Sequence, residues 1–133
     1  MDYYLDCNHV YARLLQEYLQ HRRLIICVDF DDTIYDFHKK GNTYDNVIQL
    51  LRRWQNYADI IIWTGNGEEQ YEMIKQYCNE YGISIYGINC DSRVKVAGRK
   101  IYANVYLDDR AGLAETYDIL LQLINEIEDG KEM

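Results

Sequence analysis

Three aspartates follow an apolar run near the start of the chain, at a spacing that suits metal and proton chemistry. Residues 24–28, which read Leu-Ile-Ile-Cys-Val, predict a buried strand, and Asp29, Asp31 and Asp32 come directly after them. Burying an unpaired carboxylate costs several kcal/mol, so a core strand does not end in this way without a reason. We predict that these acids lie at the open edge of a sheet and hold a cation.

Two more predicted strands end in polar residues of a similar kind. Thr64 follows the predicted strand 59–63, and the pair Asp108 and Asp109 follows the predicted strand 104–107. Ligands of open α/β sheets bind outside the carboxyl ends of the strands. We therefore expect the polar residues at all three strand ends to converge on one crevice.

Several carboxylates in one crevice repel one another unless a hard cation holds them together. Oxygen ligands without cysteine or histidine nearby favour Mg²⁺ over zinc. A lysine from the polar segment before the last strand, Lys100 or Lys95, would offset part of the negative charge. With the Thr64 hydroxyl, these groups suit a phosphoryl group. Asp29 in line with phosphorus would attack it, and Asp31, on the same side of the strand, would protonate the leaving group.

Helical patterns separate the predicted strands. Apolar residues recur at helical spacing over 8–21, 47–54, 71–81 and 113–127, and a further apolar run, 83–88, predicts one more strand. Strands that alternate with helices predict an α/β fold, in which a doubly wound parallel sheet is the middle of three layers. We expect one domain over 1–133, with an N-terminal accessory helix over 1–23, the core over 24–128 and a frayed tail over 129–133.

The composition excludes several classes of protein. Of the 133 residues, 48% are hydrophobic and 27% are charged, which is typical of a soluble globular domain. The net charge of −8 argues against a general nucleic-acid-binding protein, although a basic segment runs from Arg93 to Lys100. The four cysteines lack metal-binding spacing, and no apolar run approaches the roughly 18 residues needed to span a membrane. We expect a reduced, cytoplasmic protein with no membrane partner.

The polar positions resemble the four motifs of the haloacid dehalogenase superfamily of phosphohydrolases, and they occur in the same order. The first motif is an apolar strand followed by DxDx(T/V), which matches residues 29–33, and the second is a threonine that ends a strand, Thr64. The third is a lysine ahead of the last strand, matched by Lys100. The fourth is the acidic pair Asp108 and Asp109, and together the motifs cover most of the chain.

The resemblance implies a Mg²⁺-dependent phosphatase that hydrolyses a phosphate monoester through an aspartyl-phosphate. Asp29 is then the nucleophile and a metal ligand. Asp31 is the general acid and base, and its backbone carbonyl is a second metal ligand. Thr64 and Lys100 hold the transferring phosphoryl group, with Lys95 as the rival lysine.

The acidic pair completes the implied metal site, with Asp109 as a direct ligand and Asp108 bound directly or through water. One departure from the family pattern is Asp32, which stands where many members have glycine. The intervals 34–63 and 65–99 are each filled by the predicted helices, strands and loops, so neither has room for a cap domain. We therefore expect a small capless hydrolase with an open site.

The open site and the basic segment suggest a phosphorylated substrate, such as a nucleotide or a polynucleotide end. A homo-oligomer is a second expected association, because oligomer formation can close the site of a capless protein. Two other functions stay open. A non-catalytic protein that binds Mg²⁺ and phosphate on the same fold would keep the same acids. A receiver-like phosphoacceptor domain also has acids, a threonine and a lysine at strand ends. Its lysine comes last in the chain, however, whereas Lys100 precedes Asp108 and Asp109.

Overall fold

The computed structural model describes residues 1–130, which form four β-strands and four α-helices. Most of the predicted frayed tail, residues 131–133, lies outside the described residues. In chain order the elements are α1 (Cys7–His21), β1 (Leu24–Asp29), α2 (Asp45–Trp54), β2 (Ala58–Trp63), α3 (Tyr71–Glu80), β3 (Gly87–Ile88), β4 (Val105–Leu107) and α4 (Leu113–Glu128). Short 3-10 helices cover Tyr3–Leu5 and Glu68–Gln70.

The four strands form one parallel sheet in the order β3-β2-β1-β4. This confirms the predicted α/β class, a parallel sheet flanked by helices as in a three-layer Rossmann-like fold. β1 lies between β2 and β4, and its last residue, Asp29, is the register partner of Trp63. Because parallel strands all point the same way, the residues that follow β1, β2 and β4 meet at one edge of the sheet.

The apolar residues of β1 alternate between two faces of the sheet, as the pleat of a strand requires. Leu24, Ile26 and Val28 lie in a main core to which all four helices contribute side chains. The intervening Ile25 meets Ile61 and Ile101 in a smaller cluster. Helix α1 packs in the main core through Leu14 and Tyr18, so the predicted accessory helix is part of the packed domain. Among residues 1–130, no helix has the length and apolarity needed to cross a membrane.

The third strand is much shorter than predicted. The run 83–88 has the composition of a buried strand, but only Gly87–Ile88 pairs with β2. The backbone N–H of Ile83 donates to Cys78 O at the end of α3, and that of Ser84 donates to the Gln55 side chain. Since these donors are used outside the sheet, the first part of the run covers the core without joining the ladder.

Segment 89–104, which has no regular structure, is tied to the sheet near both ends. Near its start, Arg93 bonds the buried carboxylate of Asp59 with an Nε–Oδ2 distance of 2.5 Å. At its end, the buried side chain of Asn104 accepts a hydrogen bond from the backbone N–H of Ile25 at 2.6 Å. A buried charge is tolerated only when it is paired, and a buried amide only when it is hydrogen-bonded. The two contacts therefore act as anchors for the segment.

Candidate functional site

Three carboxylates meet at the carboxyl edge of the sheet. Asp29 ends β1, and Asp108 and Asp109 follow the neighbouring strand β4. Each residue offers a carboxylate oxygen, and these three oxygens all lie within 4.8 Å of one another. We call this group the acidic cluster. A set of carboxylate oxygens this close is the kind of donor set that a hard divalent cation takes. The structure thus brings together three of the predicted metal ligands.

The hydroxyl of Thr33 connects the two sides of the acidic cluster. Thr33 is fully buried, with 0% of its surface exposed. Its Oγ1 donates to Asp29 Oδ2 at 3.0 Å and accepts from the backbone N–H of Asp109 at 3.0 Å. One small side chain therefore fixes the end of β1 relative to the turn after β4. Sequence reasoning placed Thr33 in the first motif but gave it no role at the site.

The pKa of Asp29 is raised to about 7, above its ordinary value, mainly because burial disfavours the charged form. The side chain of Asp109 and the negative charge of Asp108 raise the pKa further, and the hydrogen bond from Thr33 opposes the rise. A bound cation would favour the ionised carboxylate, since ligation requires deprotonation. A cation bound at the cluster would therefore compete with a proton near neutral pH.

Asp31 lies beside the acidic cluster, and its carboxylate is not one of the three clustered groups. Its Oδ2 accepts a hydrogen bond from Asn66 Nδ2 at 3.2 Å. Its Oδ1 is buried and has no hydrogen-bond partner among residues 1–130. Burial raises the pKa of Asp31, and the Asn66 bond partly opposes this. A buried carboxylate oxygen left without a partner is costly, and such groups are typical of sites that await a ligand or exchange a proton.

Thr64 is held at the end of β2 by two asparagines. Asn66 donates to Thr64 Oγ1 from its backbone N–H at 3.1 Å and from Nδ2 at 2.8 Å. Asn89 accepts from the backbone N–H of Thr64 at 2.8 Å and donates to its carbonyl at 2.7 Å. Within the described chain, the Thr64 hydroxyl accepts these bonds and donates none. Its proton is free for a ligand.

Asp32 shapes the turn that follows β1. Its φ of 63° lies in the left-handed region, where glycine is favoured and aspartate is among the better-tolerated side chains. The backbone N–H of Asp32 donates to Tyr35 O at 2.8 Å, and its Oδ2 lies 2.9 Å from His38 Nδ1. Asp32 therefore takes a backbone conformation that glycine would also accept at this position. The charge of Asp32 faces His38 at the rim of the site.

Lys100 lies in segment 89–104, close to the acidic cluster. Its Nζ is 5.1 Å from the centre of the Tyr106 ring, within the range of a cation–π contact. Lys100 lines a cavity that Asp108 also lines. Lys95 is exposed in the same segment and does not line this cavity. Of the two rival lysines, Lys100 is the one that shares a cavity with Asp108.

Sequence reasoning missed three residues that organise the site, namely Thr33, Asn66 and Asn89. Thr33 is the last residue of the DxDx(T/V) motif, which is the signal that could have identified it. Asn66 stands between two glycines after β2, where it looks like an ordinary turn residue. Asn89 follows β3 with a φ of 50°, and its link to Thr64 spans 25 residues of chain.

Comparison with known proteins supports the fold and does not extend to function. The chain matches no protein-family model and no curated protein. It is similar to the solved structure of a conserved protein from Bacteroides thetaiotaomicron, with a TM-score of 0.61 and 24% sequence identity. The match covers 83% of this chain and 93% of that one. At this identity the likeness shows a shared fold alone.

Proposed function

We propose that this protein is a Mg²⁺-dependent phosphatase that hydrolyses a phosphate monoester through an aspartyl-phosphate. The observation that carries the proposal is the acidic cluster, in which oxygens of Asp29, Asp108 and Asp109 lie within 4.8 Å of one another. A separate carboxylate with an unpartnered buried oxygen, Asp31, stands beside it. The two features together supply a cation site and an acid–base group at one edge of the sheet.

The donor set of the acidic cluster consists only of carboxylate oxygens, which suits Mg²⁺ better than a thiophilic metal. Bound there, the ion would neutralise oxygens of the phosphoryl group and favour the ionised form of Asp29. The side chains of Asp108 and Asp109 would hold the ion. The Thr33 hydroxyl would keep Asp29 and Asp109 in a fixed relation.

The reaction then divides between two aspartates, in two steps. In the first, a carboxylate oxygen of Asp29 forms a bond to phosphorus, the ester P–O bond breaks, and Asp31 gives its proton to the leaving oxygen. In the second, Asp31 takes a proton from water, and the water oxygen attacks phosphorus. The bond between phosphorus and Asp29 breaks, and inorganic phosphate leaves. The raised pKa of Asp31 supports its role as the proton donor of the first step.

The remaining polar groups position the phosphoryl oxygens. The hydroxyl proton of Thr64 is available to donate to one of them, because both asparagine contacts leave it unused. Asn66 contacts both Thr64 and Asp31, so it couples the positions of the hydroxyl and the acid. Lys100 adds a positive charge from segment 89–104. Each group stabilises charge that develops on the phosphoryl oxygens in the transition state.

A phosphatase screen with and without Mg²⁺ tests the proposal. The panel contains nucleotides, sugar phosphates and phosphorylated DNA or RNA ends. Asp29→Asn should lower kcat by at least ~1,000-fold, as expected for loss of a covalent nucleophile. Asp118→Asn is the matched control, because Asp118 is exposed on α4. It should leave the rates unchanged.

Three results would decide the matter. Activity that survives Asp29→Asn, or that needs no divalent ion, would overturn the mechanism. Binding of Mg²⁺ without hydrolysis of any ester would favour a non-catalytic protein that binds Mg²⁺ and phosphate. A burst of alcohol release before steady state would support the covalent intermediate.

A further inference from the structure

A cavity of about 500 Å³ opens directly beside the acidic cluster. It lies on the sheet face that carries Cys27, whose register partner in β4 is Tyr106. We call it the Trp63 cavity, and its walls are formed by Cys27, Trp63, Arg99, Lys100, Ile101, Tyr106, Asp108 and Ala111. This volume falls within the range of about 300–1,000 Å³ that is common for small-molecule sites. Because Asp108 belongs to both, the cavity is continuous with the proposed metal site.

The wall residue Trp63 is unusual among the large side chains of the sheet. It ends β2 with 44% of its surface exposed, while the five residues before it are buried. The other tryptophan, Trp54, is fully buried, and its indole N–H donates to Leu120 O. Trp63 is also the register partner of Asp29. The structure therefore presents an indole ring to solvent next to the proposed nucleophile.

The same cavity carries positive charge. Lys100 lies over the ring of Tyr106, and Arg99 precedes it in the wall. Among residues 1–130, neither cation takes part in a salt bridge, in contrast to Arg93 of the same segment. Two aromatic side chains, and two cations that form no salt bridge within the described residues, thus line a cavity that reaches the acidic cluster at Asp108.

We propose that the Trp63 cavity binds the base of a nucleoside monophosphate, which stacks on Trp63, and that this class of ester is the substrate. The inference rests on the proposed function, since it requires the phosphate to lie at the acidic cluster. A planar, polarisable base fills an aromatic cavity, whereas glycerol phosphate would leave it empty. The net charge of −8 disfavours a polynucleotide, whose many phosphates need a broad basic surface.

Steady-state kinetics on two esters tests the substrate class. The native protein should have a higher kcat/KM for adenosine monophosphate than for glycerol phosphate. Trp63→Ala should raise KM for the nucleotide by about 10-fold or more, with kcat little changed, because stacking contributes to binding before the chemical step. Trp63→Phe should restore part of the preference. Tyr86→Ala is the control: Tyr86 is an exposed aromatic residue that precedes β3 and does not line the Trp63 cavity.

A binding measurement separates this inference from the proposed function. Trp54 is buried, so quenching of tryptophan fluorescence by acrylamide reports mainly on Trp63. In the Asp31→Asn variant with Mg²⁺, adenosine monophosphate should shield Trp63 from the quencher, and glycerol phosphate should not.

The outcomes of the two measurements fall into distinct classes. If both esters are hydrolysed and Trp63→Ala keeps the native preference, the inference is overturned while the phosphatase stands. If neither ester is hydrolysed, the proposed function fails for these substrates, and the fluorescence measurement alone decides on the cavity. Shielding by the nucleotide then supports a base-binding site, and its absence overturns one.

Discussion

Replacing Thr33 by valine tests whether one buried hydroxyl holds the acidic cluster together. Valine has nearly the same shape as threonine, so the change removes the hydroxyl and leaves the packing almost intact. The backbone N–H of Asp109 then loses its acceptor at 3.0 Å, and Asp29 Oδ2 loses its donor at 3.0 Å. Thr33 itself is 0% exposed, whereas Asp29 is half-buried and Asp109 is exposed.

The expected loss of stability follows from these two bonds. Leaving a buried donor or acceptor without a partner costs about 1–3 kcal/mol, and this cost is reduced at both partners because water can reach half-buried Asp29 and exposed Asp109. We expect the free energy of unfolding to fall by about 2 kcal/mol. For a domain of this length, such a loss lowers Tm by about 6–10 °C.

Scanning calorimetry of the metal-free protein measures this change, and isothermal titration with Mg²⁺ measures its effect on the site. The Thr33→Val variant should bind Mg²⁺ more weakly, because Asp29 and Asp109 are no longer held in register. Thr33→Ser is the matched control, since serine keeps the hydroxyl and should retain most of both properties. If Thr33→Val matches the native protein in both Tm and Kd, the hydroxyl does not organise the cluster and the argument is refuted.

Three further outcomes are expected. Because burial raises the pKa of Asp29 to about 7, protons compete with Mg²⁺, and its Kd should be about 10-fold weaker at pH 6 than at pH 8 by calorimetry. At pH 8, above this pKa, Asp29 is ionised in the folded protein, and the burial of this charge destabilises the fold. Asp29→Asn should then raise the metal-free Tm and abolish stabilisation by Mg²⁺. Asn89→Ala removes two bonds to the Thr64 backbone and should cost about 1–3 kcal/mol in a denaturant titration. A pH-independent Kd, or an unchanged unfolding transition in either variant, would contradict the corresponding argument.

The sheet could be predicted where burial alone decides the structure. β1 and β2 are buried on both faces, so their apolar runs locate them to within one residue of the observed bounds. The run 83–88 has the same composition, yet most of it lies outside the sheet. Whether this run joins the sheet depends on which acceptors the N–H groups of Ile83 and Ser84 bond, and those acceptors come from other parts of the chain.

The convergence of the acids could also be predicted, because parallel strands deliver their carboxyl ends to one edge. The hydrogen bonds that connect the strand ends to one another could not be predicted. Thr33, Asn66 and Asn89 are common turn residues, and their types do not reveal which distant group each one bonds. The pKa of Asp29 was equally out of reach, since it depends on how deeply the carboxylate is buried and on the nearby charges of Asp108 and Asp109.

The two anchors of segment 89–104 have a consequence for how this protein can evolve. Arg93 on Asp59 and Asn104 on Ile25 fix the segment, and of the residues between them only Ile101 is buried, in the smaller apolar cluster. Among the other positions, Arg99 lines the Trp63 cavity and is exposed, so its substitution changes the cavity wall at little cost to folding. Directed evolution for new substrates should therefore begin at Arg99, which lines the cavity and has no role in the proposed chemistry.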